Sequence, residues 1–301
     1  MANKNVGDAF LLSWKLCDGD IPGFTTFADT ATEAQRESAN DEIRCAAINT
    51  EASRSRKRQI TPSQMADAAV TAFLRCQIDL HNENVDGCLT CYATYDAVVK
   101  RFGPGFSIRM GFGMHVGWAI EGAIGSELKI DATYLSPHVE MSDRLEAASK
   151  IFAAKLNMSH WFLNLCTPAI KRYTRPVAYI RAEGVSTPFT VHTIDVITNK
   201  VGFGRVFCTV DPKTRLQPLV DWNHPEFSEI QMGLHPNFRA TWTIAYDAFV
   251  KGDWGTAKTK LDESMKLKPD DGPAQYLLKF MEDNKCTLPE NWDGAHFLDG
   301  F

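Results

Sequence analysis

The sequence predicts an α+β fold, and three observations carry that expectation. Short apolar runs recur at 9–14, 107–124, 177–181 and 189–196. Two stretches, 62–80 and 139–156, repeat apolar residues at helical spacing. Beyond Asp221-Trp222 the composition turns helical. Strand, helix, paired strands, helix, paired strands is the order that lays helices over a mostly antiparallel sheet. The chain has 301 residues, 44% hydrophobic and 23% charged, enough for two domains with a sizeable core.

Residues 9–14, Ala-Phe-Leu-Leu-Ser-Trp, follow Gly7-Asp8 and read as a buried strand. From Cys17 to Thr61 the chain is polar and of mixed charge, so 17–61 reads as an insertion, long for a compact domain. Thr61 is placed to cap a helix and Pro62 to be its first residue. Met65, Ala68, Ala69, Ala72, Phe73, Cys76 and Leu80 then form its predicted core-facing stripe. Ser107–Val116 and Trp118–Ile124 read as strands paired around Gly117. A helix is expected over Val139–Leu156 with Met141, Leu145, Ala148 and Phe152 buried, then strands near 177–181 and 189–196.

Residues 201–233 read as a linker. Within 234–301, Ala245, Ala248, Gly252, Trp254, Ala257, Leu261 and Pro269 fall at the small, aromatic and proline positions of one tetratricopeptide-like (TPR-like) repeat. An ordinary helical hairpin accounts for them equally. A single such unit cannot stack into a solenoid, so it is expected to dock on the preceding domain or on a protein partner.

Lys and Arg number 32 against 37 Asp and Glu, a net charge of −5, with no basic tract beyond Arg54-Ser55-Arg56-Lys57-Arg58. That balance argues against nucleic-acid binding. Eight scattered Cys are too sparse for a disulfide framework and predict reduced thiols. No run predicts a membrane span, and Met1–Asn5 has no apolar leader, so a cytoplasmic protein is expected. Cys88-x-x-Cys91 lacks a second Cys or His pair at zinc spacing. His115, following a predicted strand, reads as a packed or hydrogen-bonded core residue.

Five segments remain, in order: Asn3-Lys4-Asn5-Val6-Gly7-Asp8-Ala9-Phe10; Arg109-Met110-Gly111-Phe112-Gly113-Met114-His115-Val116-Gly117; Lys129-Ile130-Asp131; Val139-Glu140-Met141-Ser142-Asp143-Arg144-Leu145-Glu146; and Arg175-Pro176 through Asp195. Together they resemble the class III adenylate/guanylate cyclase catalytic domain, over residues 3–16 and 62–196. With the Tyr134-Leu135-Ser136-Pro137 insertion and the helical tail, the chain looks most like large protist and algal cyclase proteins. The resemblance implies a domain over 1–200 with a ferredoxin-like sheet and covering helices. It also implies attack of the ribose 3′-hydroxyl of ATP or GTP on the α-phosphate, with two Mg²⁺ or Mn²⁺ ions held between two Asp carboxylates. Two chains would pair head to tail, each site drawing on both.

Carried over by position, Asp8 is the implied metal carboxylate. Lys4 and Asp131 are the implied base readers, and a Lys/Asp pair fits adenine. Arg144 is the implied stabiliser of the reacting phosphate.

Three departures accompany the resemblance. The family's opening strand, with its Asp-Ile-x-Gly-Phe-Thr motif and first metal carboxylate, is expected upstream of Asn3. Asp20-Ile21-Pro22-Gly23-Phe24-Thr25 spells the motif, but on the other side of Asp8, and Pro22 suits a loop. Glu140 replaces the family's ribose-orienting Asn; carboxylate and phosphate charges about 4 Å apart repel by up to ~4 kcal/mol at an effective dielectric near 20. Glu183-Gly184 replaces a Lys-Gly pair that holds terminal phosphates. Two functions follow: a cyclase making cyclic AMP from ATP, or a degenerate homologue kept as a structural or regulatory subunit, for example in a ciliary or axonemal signalling assembly.

Overall fold

The computed structural model describes residues 3–6, 9–14, 16, 62–126, 129–183, 185–197, 220 and 222–298; for 3–6, 124, 126 and 129–132 it describes the backbone only. The predicted 17–61 insertion, the Asp20–Thr25 motif, Asp8 and most of the predicted linker lie outside the described residues.

The fold is mixed α+β. A five-stranded sheet runs in the order β3 (Phe112–Met114), β6 (Leu156–Ser159), β8 (Phe189–Ile194), β7 (Thr174–Arg181), β9 (His296–Phe297). β3 pairs parallel with β6 and β9 parallel with β7, while β8 pairs antiparallel with both β6 and β7. The sheet is therefore mixed, where the order of elements had predicted a mostly antiparallel one. In β8 buried and half-buried residues alternate from Phe189 to His192, as a strand with one face in the core requires. The register of β7 against β8 shifts between Pro176 and Ala178, where proline has no N–H to give the ladder.

Two hairpins stand apart from this sheet: β1 (Asn3–Val6) with β2 (Ala9–Leu12), and β4 (Ile120–Ser126) with β5 (Lys129–Leu135). The expected pairing around Gly117 is thus corrected. The segment before Gly117 joins β6, and the segment after it pairs with the chain that follows. The expected buried strand at 9–14 is corrected too, since β2 lies in a two-stranded sheet and Phe10 is 65% exposed.

Helix α1 (Pro62–Val85) begins at the expected proline but buries a different stripe. Ala66, Ala69, Val70, Leu74 and Ile78 face the core, while Ala72 and Cys76 face solvent. The stripe turns because Asp67, Thr71 and Gln77 are buried beside it. Asp67 accepts from Thr167 N–H (3.0 Å), Thr167 Oγ1–H (2.5 Å) and Trp222 Nε1–H (2.8 Å), so its carboxylate is satisfied out of water. Trp222, Phe227 and Ile230, at the end of the predicted linker, are packed into the core that α1 forms with β3 and β6.

After the short helices α2 (Cys91–Thr94) and α3 (Asp96–Phe102), helix α4 (Pro137–Phe152) starts two residues before the expected Val139. Ser136 caps it by accepting His138 N–H at 3.0 Å, with Pro137 in the first turn. It ends at Ala153 in the left-handed region (φ 48°), so residues to Leu156 pass into β6 rather than extending the helix. The four residues expected on its buried face are buried, against Val177, Ile180, Phe189 and Val191.

After the short helix α6 (Pro225–Glu229) come three longer ones: α7 (Phe238–Lys251), α8 (Trp254–Leu267) and α9 (Gly272–Asp283). Gly252, at φ 84°, closes α7, and Asp253 caps α8 by accepting Thr256 N–H. Their core holds Trp242, Ala245, Phe249, Trp254, Ala257, Leu261 and Leu277. The group docks on the sheet and on the end of α4: Trp242 Nε1–H donates to Pro176 O of β7 at 2.9 Å, and Gly272 lies so near Phe152 O of α4 that a Cβ would stand 2.2 Å from it.

Candidate functional site

Helix α4 is where the structure brings implied site residues together. Glu140 and Arg144 stand one turn apart, with Arg144 Nη2 3.6 Å from Glu140 Oε2. Arg144 Nη1 also donates to Glu183 O at 3.1 Å, in the segment where the resemblance expected a cation. The arginine is thus held by an adjacent carboxylate and a backbone carbonyl on an open face. Glu140 is 70% exposed, so the pair itself is worth only about 0.3–0.5 kcal/mol. The position of α4 is fixed by Gly113 of β3, where a Cβ would meet Ser142 O at 2.0 Å and Glu146 N at 2.5 Å. The helix backbone lies directly on the strand.

The other implied residues are placed by backbone or not at all. Lys4 lies in β1 opposite Leu11, and Asp131 lies in β5 opposite Ile124. The structure does not bring these two hairpins into one sheet. Asp8 is outside the described residues. Among the described residues no group of three or more His, Cys, Asp or Glu is arranged to hold a metal ion. By themselves, the described residues do not fit a divalent-cation site.

Next to the start of α4 lies a chain of imidazoles. His115, just after β3, bonds Ser159 Oγ through Nδ1 and His138 Nδ1 through Nε2, both at 2.8 Å. Ser159 Oγ accepts Phe162 N–H, capping helix α5 (His160–Leu165). The simplest assignment has its hydroxyl donating to His115 Nδ1 and His115 Nε2–H donating to His138 Nδ1. Burial, with His138 and His160 nearby, holds the His115 pKa down at about 3, so the ring is neutral at physiological pH. Trp118 and Trp161 meet these rings edge-on. This is a neutral, packed network.

The strongest electrostatic feature was missed at the level of sequence. Arg175 of β7 is buried between Asp195 (Nε to Oδ2, 2.7 Å) and Asp271 (Nη2 to Oδ1, 2.5 Å), and Lys268 Nζ reaches the same two carboxylates at 3.0 and 2.8 Å. Two cations balance two anions, and the Trp242 ring lies 4.4 Å from the guanidinium. Burial works against every charge here. The opposite charges outweigh it, raising Arg175 and Lys268 and holding Asp195 far below the usual carboxylate range. No local sequence signal marks it, since Arg175 and Asp271 lie 96 positions apart.

No family model and no curated protein matches the chain. Solved structures with partial similarity include a bacterial light-regulated adenylyl cyclase (23% identity, TM-score 0.32), covering 45% of this chain and 35% of that one. The guanylyl cyclase Cya2 is 18% identical, TM-score 0.32, over 46% of this chain and 62% of its own. The adenylyl cyclase CyaB from P. aeruginosa is 20% identical, TM-score 0.29, over 43% and 58%. The chain thus spans between about a third and three-fifths of the structures it matches. Among the described residues no helix is long and apolar enough to cross a membrane.

Proposed function

We propose that the chain is a class III nucleotide cyclase-like protein of intracellular signalling, with ATP as its nucleotide and cyclic AMP plus pyrophosphate as the implied products. What supports this reading is the ordered set of five motif segments, two of whose implied site residues stand on adjacent turns of α4. In this proposal Lys4 and Asp131 read adenine, Arg144 meets the reacting phosphate, and Asp8 is the carboxylate assigned to Mg²⁺ or Mn²⁺. The catalytic unit spans 1–200 and pairs head to tail with a second cyclase-domain chain, identical or not. Residues 234–301 form a TPR-like docking element for a protein partner, after a linker over 201–233. The proposed location is cytoplasmic.

One observation favours a second reading, a structural or regulatory subunit with little turnover of its own, as in a ciliary assembly. Arg144 is already engaged by Glu140 and Glu183 O. Displacing the exposed ion pair costs little, but the carboxylate stays beside the implied phosphate position and repels an anion there, a repulsion that solvent screens in part.

The test is cyclic AMP formation by the full chain with ATP and Mn²⁺. The enzyme reading expects product from the wild type, lost in Arg144→Ala and raised in Glu140→Asn. ATP binding without product from either the wild type or Glu140→Asn leaves the subunit reading. Failure to bind ATP at all overturns the enzyme reading.

A further inference from the structure

A cavity of about 260 Å³ opens at the end of the sheet where the chain enters β3 and β6. One wall is the second half of α1, with Gln77, Leu80, His81, Asn84 and Val85. The other is Ser107–Met110, leading into β3, and Lys155, leading into β6.

The charges here are unbalanced. Arg109 and Lys155 both line the cavity, and among the described residues no carboxylate lies within ion-pairing distance of either. Glu146 of α4 sits across Gly111, its Oε1 2.5 Å from where a Gly111 Cβ would stand, and pairs with neither cation. Burial lowers the Lys155 pKa and the Arg109 charge lowers it further, while burial and Lys155 keep His81 low. A concave surface that holds two like charges together in this way is relieved by an anion.

A second observation is independent of charge. Gln77 is 7% exposed and lines the same cavity, yet its amide makes no hydrogen bond among the described residues, and its Oε1 is fully buried. A buried amide without a partner costs free energy unless a ligand or water completes it. Asn84 is already consumed, bonding Ile108 N–H and O and Leu80 O, and so stiffens the wall.

We propose that this cavity is a binding site for a small phosphate monoester, its dianion held by Arg109 and Lys155. Arg109 presents a planar fork suited to two phosphate oxygens, and Lys155 adds a point charge. Leu80, Val85, Ile108 and Met110 cover the apolar part of the ligand, and the Gln77 amide N–H donates to a hydroxyl on that part. The volume lies just below the usual range for small-molecule sites, so the ligand is of glycerol phosphate size and not a nucleotide.

The experiment is isothermal titration calorimetry of the full chain with glycerol 3-phosphate, then with inorganic phosphate, and with glycerol and sodium chloride as controls at matched ionic strength. The expected result is saturable one-site binding of the ester, weaker binding of inorganic phosphate, and none of glycerol. Arg109→Ala and Lys155→Ala should each weaken the ester by about tenfold or more. Gln77→Leu should weaken the ester but not inorganic phosphate. Both cations reach the surface and neither has an ion-pair partner among the described residues, so their variants should unfold at the wild-type urea midpoint, which separates lost binding from lost fold. No saturable binding, equal binding by the double variant Arg109→Ala/Lys155→Ala, or an identical response to chloride overturns the proposal.

Discussion

Arg175 and Asp271 meet at 2.5 Å although one lies in a sheet strand and the other caps a C-terminal helix. Asp271 serves twice, taking the guanidinium on Oδ1 and the Ala274 N–H on Oδ2 at 3.1 Å. This ion pair, with Asp195 and Lys268, fastens α9 to β7 within a buried, charge-balanced group.

Removing Arg175 should therefore destabilise the chain severely. Arg175→Met leaves two buried carboxylates with Lys268 as their remaining ion-pair partner, an expected loss of about 3–5 kcal/mol by urea denaturation. Asp271→Asn, which keeps the cap acceptor, should cost less. The Asp195 pKa is depressed in the folded chain, so its contribution is complete above the ordinary carboxylate value of about 4 and is lost as pH falls below it. No loss from Asp271→Asn, which removes the charge and keeps the cap, would show that the cap, and not the charge, ties α9 down.

Acid should also act at higher pH, through the imidazoles. Burial holds His115 at about 3, and His192 and His296 at about 4, against about 6.5 in an unfolded chain. Between those values the unfolded chain binds more protons, so stability falls as pH drops from about 6.5 to about 4, by up to ~1.4 kcal/mol per pH unit per ring. The check is the urea midpoint against pH, with a shallower slope expected in His115→Gln. A flat profile across this range in the wild type would refute the assignment of neutral rings.

Asp67 joins α1 to Thr167 and to Trp222, 155 positions away. Asp67→Ala strips three donors of their acceptor, so a loss of about 2–5 kcal/mol and a changed Trp222 fluorescence are expected. Thr167→Val with Trp222→Phe should recover part of that loss in a double-mutant cycle.

Gly113→Ala tests how α4 is seated. The new methyl meets helix backbone, which cannot rotate away, so α4 must move off β3 at an expected cost of about 1–3 kcal/mol or more. Gly122→Ala, where nothing lies within 4 Å, is the control and should unfold as the wild type does. If the two variants have the same urea midpoint, α4 does not rest on Gly113.

The buried face of α4 was legible because Met141, Leu145, Ala148 and Phe152 repeat at helical spacing and nothing polar interrupts them. The face of α1 was misread because three of its buried residues, Asp67, Thr71 and Gln77, are polar, and spacing assigns such residues to solvent. The partner of β3 was misread because pairing is non-local: its apolar run fits a nearby hairpin as well as a parallel strand beginning at Leu156. Of the implied site, Glu140 and Arg144 were legible as neighbours because one helical turn fixes their spacing. Lys4 and Asp131 share no such local geometry.

From the amino-acid order alone came the mixed α+β class, the start of α1, the buried face of α4 and the β7–β8 hairpin, all set by short-range periodicity and caps. Folding alone decided which charges are buried and paired. An ion leaves water only where distant chain supplies its opposite charge, so Arg175 acquires meaning only once Asp195, Lys268 and Asp271 surround it.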